Sequence, residues 1–189
     1  MGLAKYLREA WKKPDAEVLK KRMIEWRAGS SVVRVENPLR LDRAHALGYK
    51  AKKGVFVVRV KVLRGGHRRP RPKKGRMGRR MHTRMTLKMN YQQICEQRAA
   101  RKYPNCEALN SYWIGRDGMN YFYEVIMVDR EAPEIKTDKQ LSFLTKPAHK
   151  KRIFRGLTSA ASKARGLRNS NFKVPKVRPS LRANNRQGN

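Results

Sequence analysis

The stretch "ALNSYWIGRDGMNYFYEVIMVD", residues 108–129, sets two apolar runs on either side of Arg-Asp-Gly-Met. Runs of this kind, rich in Tyr, Trp, Ile, Val and Phe, read as strands. The Asp117-Gly118 pair between them is a hairpin signal. The stretch therefore predicts antiparallel pairing. The second strand is apolar on both faces, with Phe122, Ile126 and Val128 on one and Tyr123, Val125 and Met127 on the other. Such a strand has to be covered from both sides.

Working outward, "GVFVVRVKVLRGG" (54–66) alternates and is a third strand. Phe56, Val58, Val60 and Val62 face one way, Arg59 and Lys61 the other. A helix is predicted over 86–103 from the spacing of Leu87, Tyr91, Ile94, Cys95, Ala99 and Tyr103. Leu3, Leu7, Ala10 and Trp11 mark a helix over 2–13, stopped by Pro14. Leu19, Met23 and Trp26 mark another over 15–27, with Asp15 and Glu17 at its positive end. "SVVRVENPLRL" (31–41) is extended, and "LDRAHALGYK" (41–50) reads as a short helix closed by Gly48. Beyond residue 130 come short helical pieces, one of them in "GLTSAASKARG" (156–166), and a tail with Pro175 and Pro179.

The predicted fold is α+β: a small antiparallel sheet with helices packed on both faces, a long basic loop and a C-terminal extension. Residues 1–42 are read as N-terminal helices, 43–138 as the globular body with its loop at 64–85, and 139–189 as the basic extension and tail.

The formal net charge is +33 over 189 residues. A chain so charged repels itself when compact and calls for a polyanion. The charge is also unevenly spread. Residues 43–95 carry seventeen basic groups and no acid, and residues 139–189 carry fourteen and no acid. Between them, residues 96–138 are slightly acidic, with net charge −2. The reading is a folded body with cationic extensions. Cys95 and Cys106 are too few for a disulfide framework and are read as reduced thiols. No apolar run approaches the ~18 residues of a membrane span. The N-terminus lacks the apolar core of a secretory signal. The expected compartment is the cytoplasm, with no membrane partner.

Eleven of the residues from Arg59 to Arg80 are Arg or Lys, and none is acidic. After Gly65-Gly66 the apolar periodicity ends. A basic loop tethered at both ends reads as an arm that tracks phosphates. Its glycines allow close approach to a ribose-phosphate surface, and Pro70 and Pro72 keep it extended. "LTKPAHKKRIFRGL" (144–157) is the second basic site, read as a wrapped extended segment because Pro147 breaks any helix. The small residues Ser159, Ala160, Ala161 and Ser162 would permit approach to a groove.

No catalytic constellation is legible, and Glu124 and Asp129 have no evident partner. His45, His67, His82 and His149 are scattered, and none pairs with a cysteine at zinc-finger spacing. No metal, cofactor or small-molecule substrate is expected. His67, His82 and His149 lie in basic runs and suit nucleic-acid contact. Trp11, Trp26 and Trp113 are read as core.

The blocks "LGYKAKKG" (47–54), "VRVKVLRGGHRRPRPKKG" (58–75), "LNSYWIG" (109–115), "FYEVIMVD" (122–129) and "LTKPAHKKRIFRGLTSAASKARGL" (144–167) resemble the archaeal and eukaryotic ribosomal protein family called "L fifteen e". The short tail favours the archaeal branch. The resemblance implies a structural constituent of the large ribosomal subunit that binds large-subunit rRNA and neighbours other large-subunit proteins. Carried over block by block, the implied rRNA contacts are Lys50, Lys52, Lys53, Arg64, Arg68, Arg69, Arg71, Lys73 and Lys74. They continue with Lys146, His149, Lys150, Arg152, Arg155, Lys163 and Arg165. Arg59, Arg76, Arg79, Arg80 and Lys151, in the same basic runs, complete the expected set. A DNA-compacting protein is the rival reading, since it would share the charge.

Overall fold

The computed structural model describes residues 2–70, 73–76, 78, 83–168, 183 and 185. In chain order its elements are α1 (Leu3–Lys12), α2 (Ala16–Ala28), β1 (Val32–Val35), α3 (Leu41–Ala46), β2 (Val55–Leu63), β3 (His67–Arg68), β4 (Arg84–Met85), α4 (Tyr91–Lys102), β5 (Cys106–Arg116), β6 (Asn120–Asp129), α5 (Pro133–Lys136) and α6 (Ser159–Ala164). Between α5 and α6 run 3-10 turns at Ser142–Thr145, Pro147–His149 and Arg152–Arg155.

The hairpin of residues 108–129 is the spine of the sheet, whose strand order is β1-β2-β6-β5 with antiparallel neighbours. Its turn is made differently from what the Asp-Gly signal suggests. Gly118 has no positive φ. Instead Asp117 Oδ1 accepts from the amides of Met119 (2.7 Å) and Asn120 (2.5 Å), and Asp117 N donates to Asn120 O at 3.0 Å. The aspartate side chain, not glycine's freedom, turns the chain.

Both faces of β6 are covered, as its composition demands. Val125 and Met127 join Val58, Val60 and Val62 of β2 beneath Cys95 and Ala99 of α4. Phe122 and Ile126 join Val57 beneath Trp26 of α2 and Ala44 of α3. Arg59 and Lys61 therefore point at α2, not at open water. The Arg59 guanidinium lies 5.1 Å from the Trp26 ring centre. Lys61 Nζ donates to Arg27 O (2.7 Å) and Gly29 O (2.9 Å), neutralising the carbonyl end of α2. A third cluster of Val128, Ile135, Leu141 and Leu144 ties the chain after β6 back to the sheet.

Two helices differ from expectation. α4 starts at Tyr91 because Asn90 caps it, its side chain accepting from Gln93 N at 2.7 Å. Leu87 is left in the irregular segment before it. α1 forms where its stripe predicts, but none of its residues is buried, and Leu3 and Tyr6 are 68% and 58% exposed. The expected helix is present and its stripe is only partly covered: Leu7 and Trp11 are half-buried, with the Arg40 guanidinium 5.0 Å from the Trp11 ring centre.

Candidate nucleic-acid interface

The root of the basic loop is built by Gly65, Gly66 and Tyr91. Gly65 has φ +100°, which an L side chain rarely adopts. At Gly66 a Cβ would lie 2.1 Å from Met85 O, so only glycine lets the returning strand pass. The expected extended loop of 66–85 thus begins as a short ribbon, β3 paired with β4 through His67–Met85 and Arg68–Arg84. Tyr91 clamps the corner: its hydroxyl accepts from Gly65 N at 2.7 Å and donates to Gly65 O at 3.1 Å. A cleft of about 620 Å³ opens beside this root, walled by Met85, Leu87, Tyr91 and Tyr123 with Arg84 and Lys163 on its lining.

Beyond the root, Arg68, Arg69, Lys73, Lys74 and Arg76 are exposed. Among the described residues, their side chains make no hydrogen bond or ion pair. Arg71, Arg79, Arg80 and His82 lie outside the described residues. Arg64 belongs to the body. It donates to Asp117 O (2.8 Å) and Gly118 O (3.3 Å) and sits 5.2 Å from the Tyr121 ring centre.

In the "LGYKAKKG" block, Lys50 and Lys52 converge on Asp138 Oδ2 at 3.2 and 2.6 Å. The Lys52 ammonium, with the amides of Gln140 and Leu141, holds the Asp138 carboxyl well below the usual range. Lys53, by contrast, is exposed with no side-chain partner among the described residues.

Residues 144–157 do not form the wrapped extended segment expected: they fold as 3-10 turns onto the body, and the short helix expected in 156–166 follows as α6. Arg152 is the pin. It is 9% exposed, and its guanidinium donates to Ala108 O (2.9 Å), Leu109 O (3.0 Å) and Leu157 O (3.4 Å). Glu107 accepts from the amides of Lys151 (2.6 Å) and Arg152 (3.3 Å). Glu96, fully buried, accepts from the hydroxyls of Ser111 (2.5 Å) and Thr158 (2.7 Å). Burial pushes the Glu96 carboxyl up, against the pull of those hydroxyls and of Arg152. Arg152 is therefore corrected from a surface contact to an internal anchor: its charge is spent on the protein's own carbonyls and carboxylates. Ala160 and Ala161 are also corrected. They are buried, and Asn90 Nδ2 donates to Ala160 O at 2.9 Å, so their small size serves the packing of α6.

Other members of that set are partly occupied. Arg165 donates to Arg155 O (3.1 Å) and Phe154 O (3.3 Å), and Arg155 donates to Ala148 O. The His149 ring meets Phe143 edge-on at 5.0 Å. Lys146, Lys150, Lys151 and Lys163 are exposed, with no side-chain partner among the described residues.

The acidic block thus serves the fold. Glu124 accepts from Leu39 N at 3.1 Å, and burial raises its carboxyl. Asp129 accepts from Glu131 N at 3.0 Å. These carboxylates, with Glu96, Glu107 and Asp117, bind the body together and leave the loop's cations uncompensated. Cys95 and Cys106 are free thiols, and burial pushes Cys106 up to about 11. Among the described residues, no group of three or more His, Cys, Asp or Glu gathers to hold a metal, and no helix is long and apolar enough to cross a membrane.

A family model described as Ribosomal L15 matches residues 2–184. The chain belongs to the L15e family of ribosomal proteins. A relative from Methanospirillum hungatei, the large ribosomal subunit protein eL15, is 52% identical over 184 residues, covering 95% of this chain and 94% of its own length. The family named by the five sequence blocks is the family found, and the match runs on through the tail that those blocks leave out.

Sequence reasoning missed several cations in this L15e chain. Arg84 stands on the loop-root cleft, inside the acid-free run but outside the resemblance blocks. Arg8, Arg40 and Arg43 gather on a second cavity near α3. Charge counting overlooked Arg8 and Arg40 because acids in residues 1–42 balance much of the local charge.

Proposed function

We propose that this L15e protein is a structural constituent of the large ribosomal subunit in the cytoplasm, binding large-subunit rRNA and stabilising its tertiary structure and assembly. The observation that carries this reading is the division of charge. The carboxylates of Glu96, Glu107, Asp117, Glu124, Asp129 and Asp138 are taken by the body's own amides, hydroxyls and lysines, while the loop cations Arg68, Arg69, Lys73, Lys74 and Arg76 have no partner among the described residues. Such groups neutralise phosphates. The proposed contacts are these residues with Arg71, Arg79 and Arg80 of the same loop, Lys53, and the outward Lys146, Lys150, Lys151 and Lys163. Lys50, Lys52, Arg59, Arg64, His149, Arg155 and Arg165 support the surface and reach RNA only with whatever donors their internal contacts leave. Neighbouring large-subunit proteins are the second class of partner, and the role is structural, not enzymatic.

Sedimentation of native extract tests the reading. The protein should travel with large subunits and be released by high salt together with loss of rRNA protection. Recovery in a nucleoid fraction, with none on large subunits, would favour the DNA-compacting alternative and sink this one.

A further inference from the structure

Between α1, α3 and the edge strand β5 lies a cavity of about 520 Å³, lined by Arg8, Arg40, Asp42, Arg43, Tyr112 and Trp113 among others. That volume is in the range of small-ligand sites. Its wall holds polar atoms that the protein leaves unsatisfied. Asp42 is 6% exposed and Tyr112 is 3% exposed. Among the described residues, Asp42 Oδ1 and Arg40 Nε are buried with no hydrogen-bond partner, while the buried Tyr112 hydroxyl is turned to the Glu124 carboxylate. Native interiors seldom leave such groups alone, and two on residues of one cavity point to a missing ligand.

The rest of the geometry says what kind of ligand. Arg40 is held in place: Nη1 donates to Trp113 O at 3.4 Å, Nη2 lies 3.7 Å from Asp42 Oδ2, and the guanidinium sits 5.0 Å from the Trp11 ring centre. Its Nε is the part left over. Arg8 and Arg43 are exposed, with no side-chain partner among the described residues. These donors want an anion with several acceptors, which fits phosphate. The bare Asp42 oxygen wants one donor on the same ligand. A phosphodiester has none of its own, but a ribose 2′-hydroxyl supplies one and deoxyribose does not. Trp113, expected as core, is instead 42% exposed and offers an aromatic face.

We propose that this cavity takes one nucleotide of RNA, with its phosphate on Arg8, Arg40 and Arg43 and its 2′-hydroxyl donating to Asp42. The proposal rests on the reading that RNA is the partner and adds a site outside the basic loop that tells RNA from DNA.

The full-length protein is titrated with a single-stranded RNA decanucleotide and its DNA copy at 0.2 M salt, where diffuse loop contacts are weakened. Wild type should prefer RNA by about tenfold, the value of one charge-assisted hydrogen bond. Asp42→Asn should shrink that preference toward unity. The Arg8→Ala/Arg43→Ala double variant, altered only at exposed positions, should weaken both strands and flatten the salt slope by about one to two contacts. Neutralising Lys73 and Lys74 should weaken both strands and leave the RNA preference in place. Circular dichroism checks each fold. If Asp42→Asn fails to fold, the arginine pair still decides: unchanged binding overturns the site. Equal wild-type affinity for RNA and DNA overturns the ribose assignment. A wild type that binds neither strand removes the rRNA reading and this inference with it. Binding lost on loop neutralisation but untouched by the pocket variants removes this inference alone.

Discussion

Two basic segments of this chain carry the same signature in sequence and come to opposite ends in structure. The loop of residues 64–85 and the segment of residues 144–167 are both rich in Arg and Lys and free of acids. Past its glycine root, the loop's Arg68, Arg69, Lys73 and Lys74 are exposed and find no partner among the described residues. The second segment folds inward, pinned by Arg152 and closed by Ile153, Leu144, Ala160 and Ala161. The difference lies not in the charge but in what the rest of the chain offers. Glu96 and Glu107 wait on α4 and β5 for the second segment, and apolar residues arrive with it. Nothing apolar arrives with the loop between Arg68 and Arg76. A basic run becomes protein structure where it brings hydrophobic residues and meets buried carboxylates; otherwise it needs an outside polyanion.

The sharpest break of that comparison is Arg152→Ala. It strips the donor from the carbonyls of Ala108, Leu109 and Leu157 and removes the cation beside Glu96. Breaking a buried charged network from one side costs about 3–5 kcal/mol. Thermal or urea unfolding should register that loss. Lys150→Ala and Lys151→Ala, one and two residues away but exposed, should stay within about 0.5 kcal/mol of wild type. Equal stability for all three would mean that Arg152 is no anchor.

The loop should answer in the opposite currency. Replacing Arg68, Arg69, Lys73 and Lys74 together with Gln should leave the unfolding midpoint in place or raise it by easing self-repulsion. Affinity for an rRNA fragment should fall by orders of magnitude, and the log–log salt slope should flatten by about three. A collapse in stability with an unchanged slope would place these residues in the fold, alongside Arg152.

What the sequence made legible follows the same line. The hairpin, the two-sided burial of β6 and the face of α2 came from apolar spacing, because burial is a local pattern in the chain. The inward turn of Arg152 did not, because its partners Glu96 and Glu107 stand 56 and 45 positions upstream in sequence. Ala160 and Ala161 looked like contacts for a groove, and only the position of Asn90 shows that the groove is the protein's own. The cavity at Arg8, Arg40 and Arg43 stayed hidden because its residues come from α1, α3 and β5, each unremarkable in charge. Asp117-Gly118 was read correctly as a turn, but the side chain of the first residue makes it.

The hand-over between the two regimes sits at Gly66, and Gly66→Ala tests it. A Cβ there meets a backbone oxygen, Met85 O, at 2.1 Å, so the ribbon must part. The local cost is about 1–3 kcal/mol, as for other overpacked sites. It should show as faster amide exchange at Arg69, whose N–H donates to Thr83 O at 3.1 Å across the ribbon. The sheet's amides should exchange as before, because the loop root does not carry the core.

The smallest effect belongs to Tyr91→Phe. The ring would still pack at 4.8 Å from Tyr121, so the core loses nothing. Only the hydroxyl that grips both polar groups of Gly65 is gone. Gly65 is exposed, so water takes over those bonds, and the loss is at the low end of about 0.5–1.5 kcal/mol. Exchange at the Gly65 amide should rise by no more than about tenfold. RNA affinity should fall slightly with the salt slope unchanged, since no phosphate contact is removed. That pairing separates aim from charge: the loop's arginines and lysines supply the attraction, and Tyr91 sets the direction in which they leave the sheet. A flattened slope in this variant would mean that the root does more than aim, and that the loop cannot present its full charge without it.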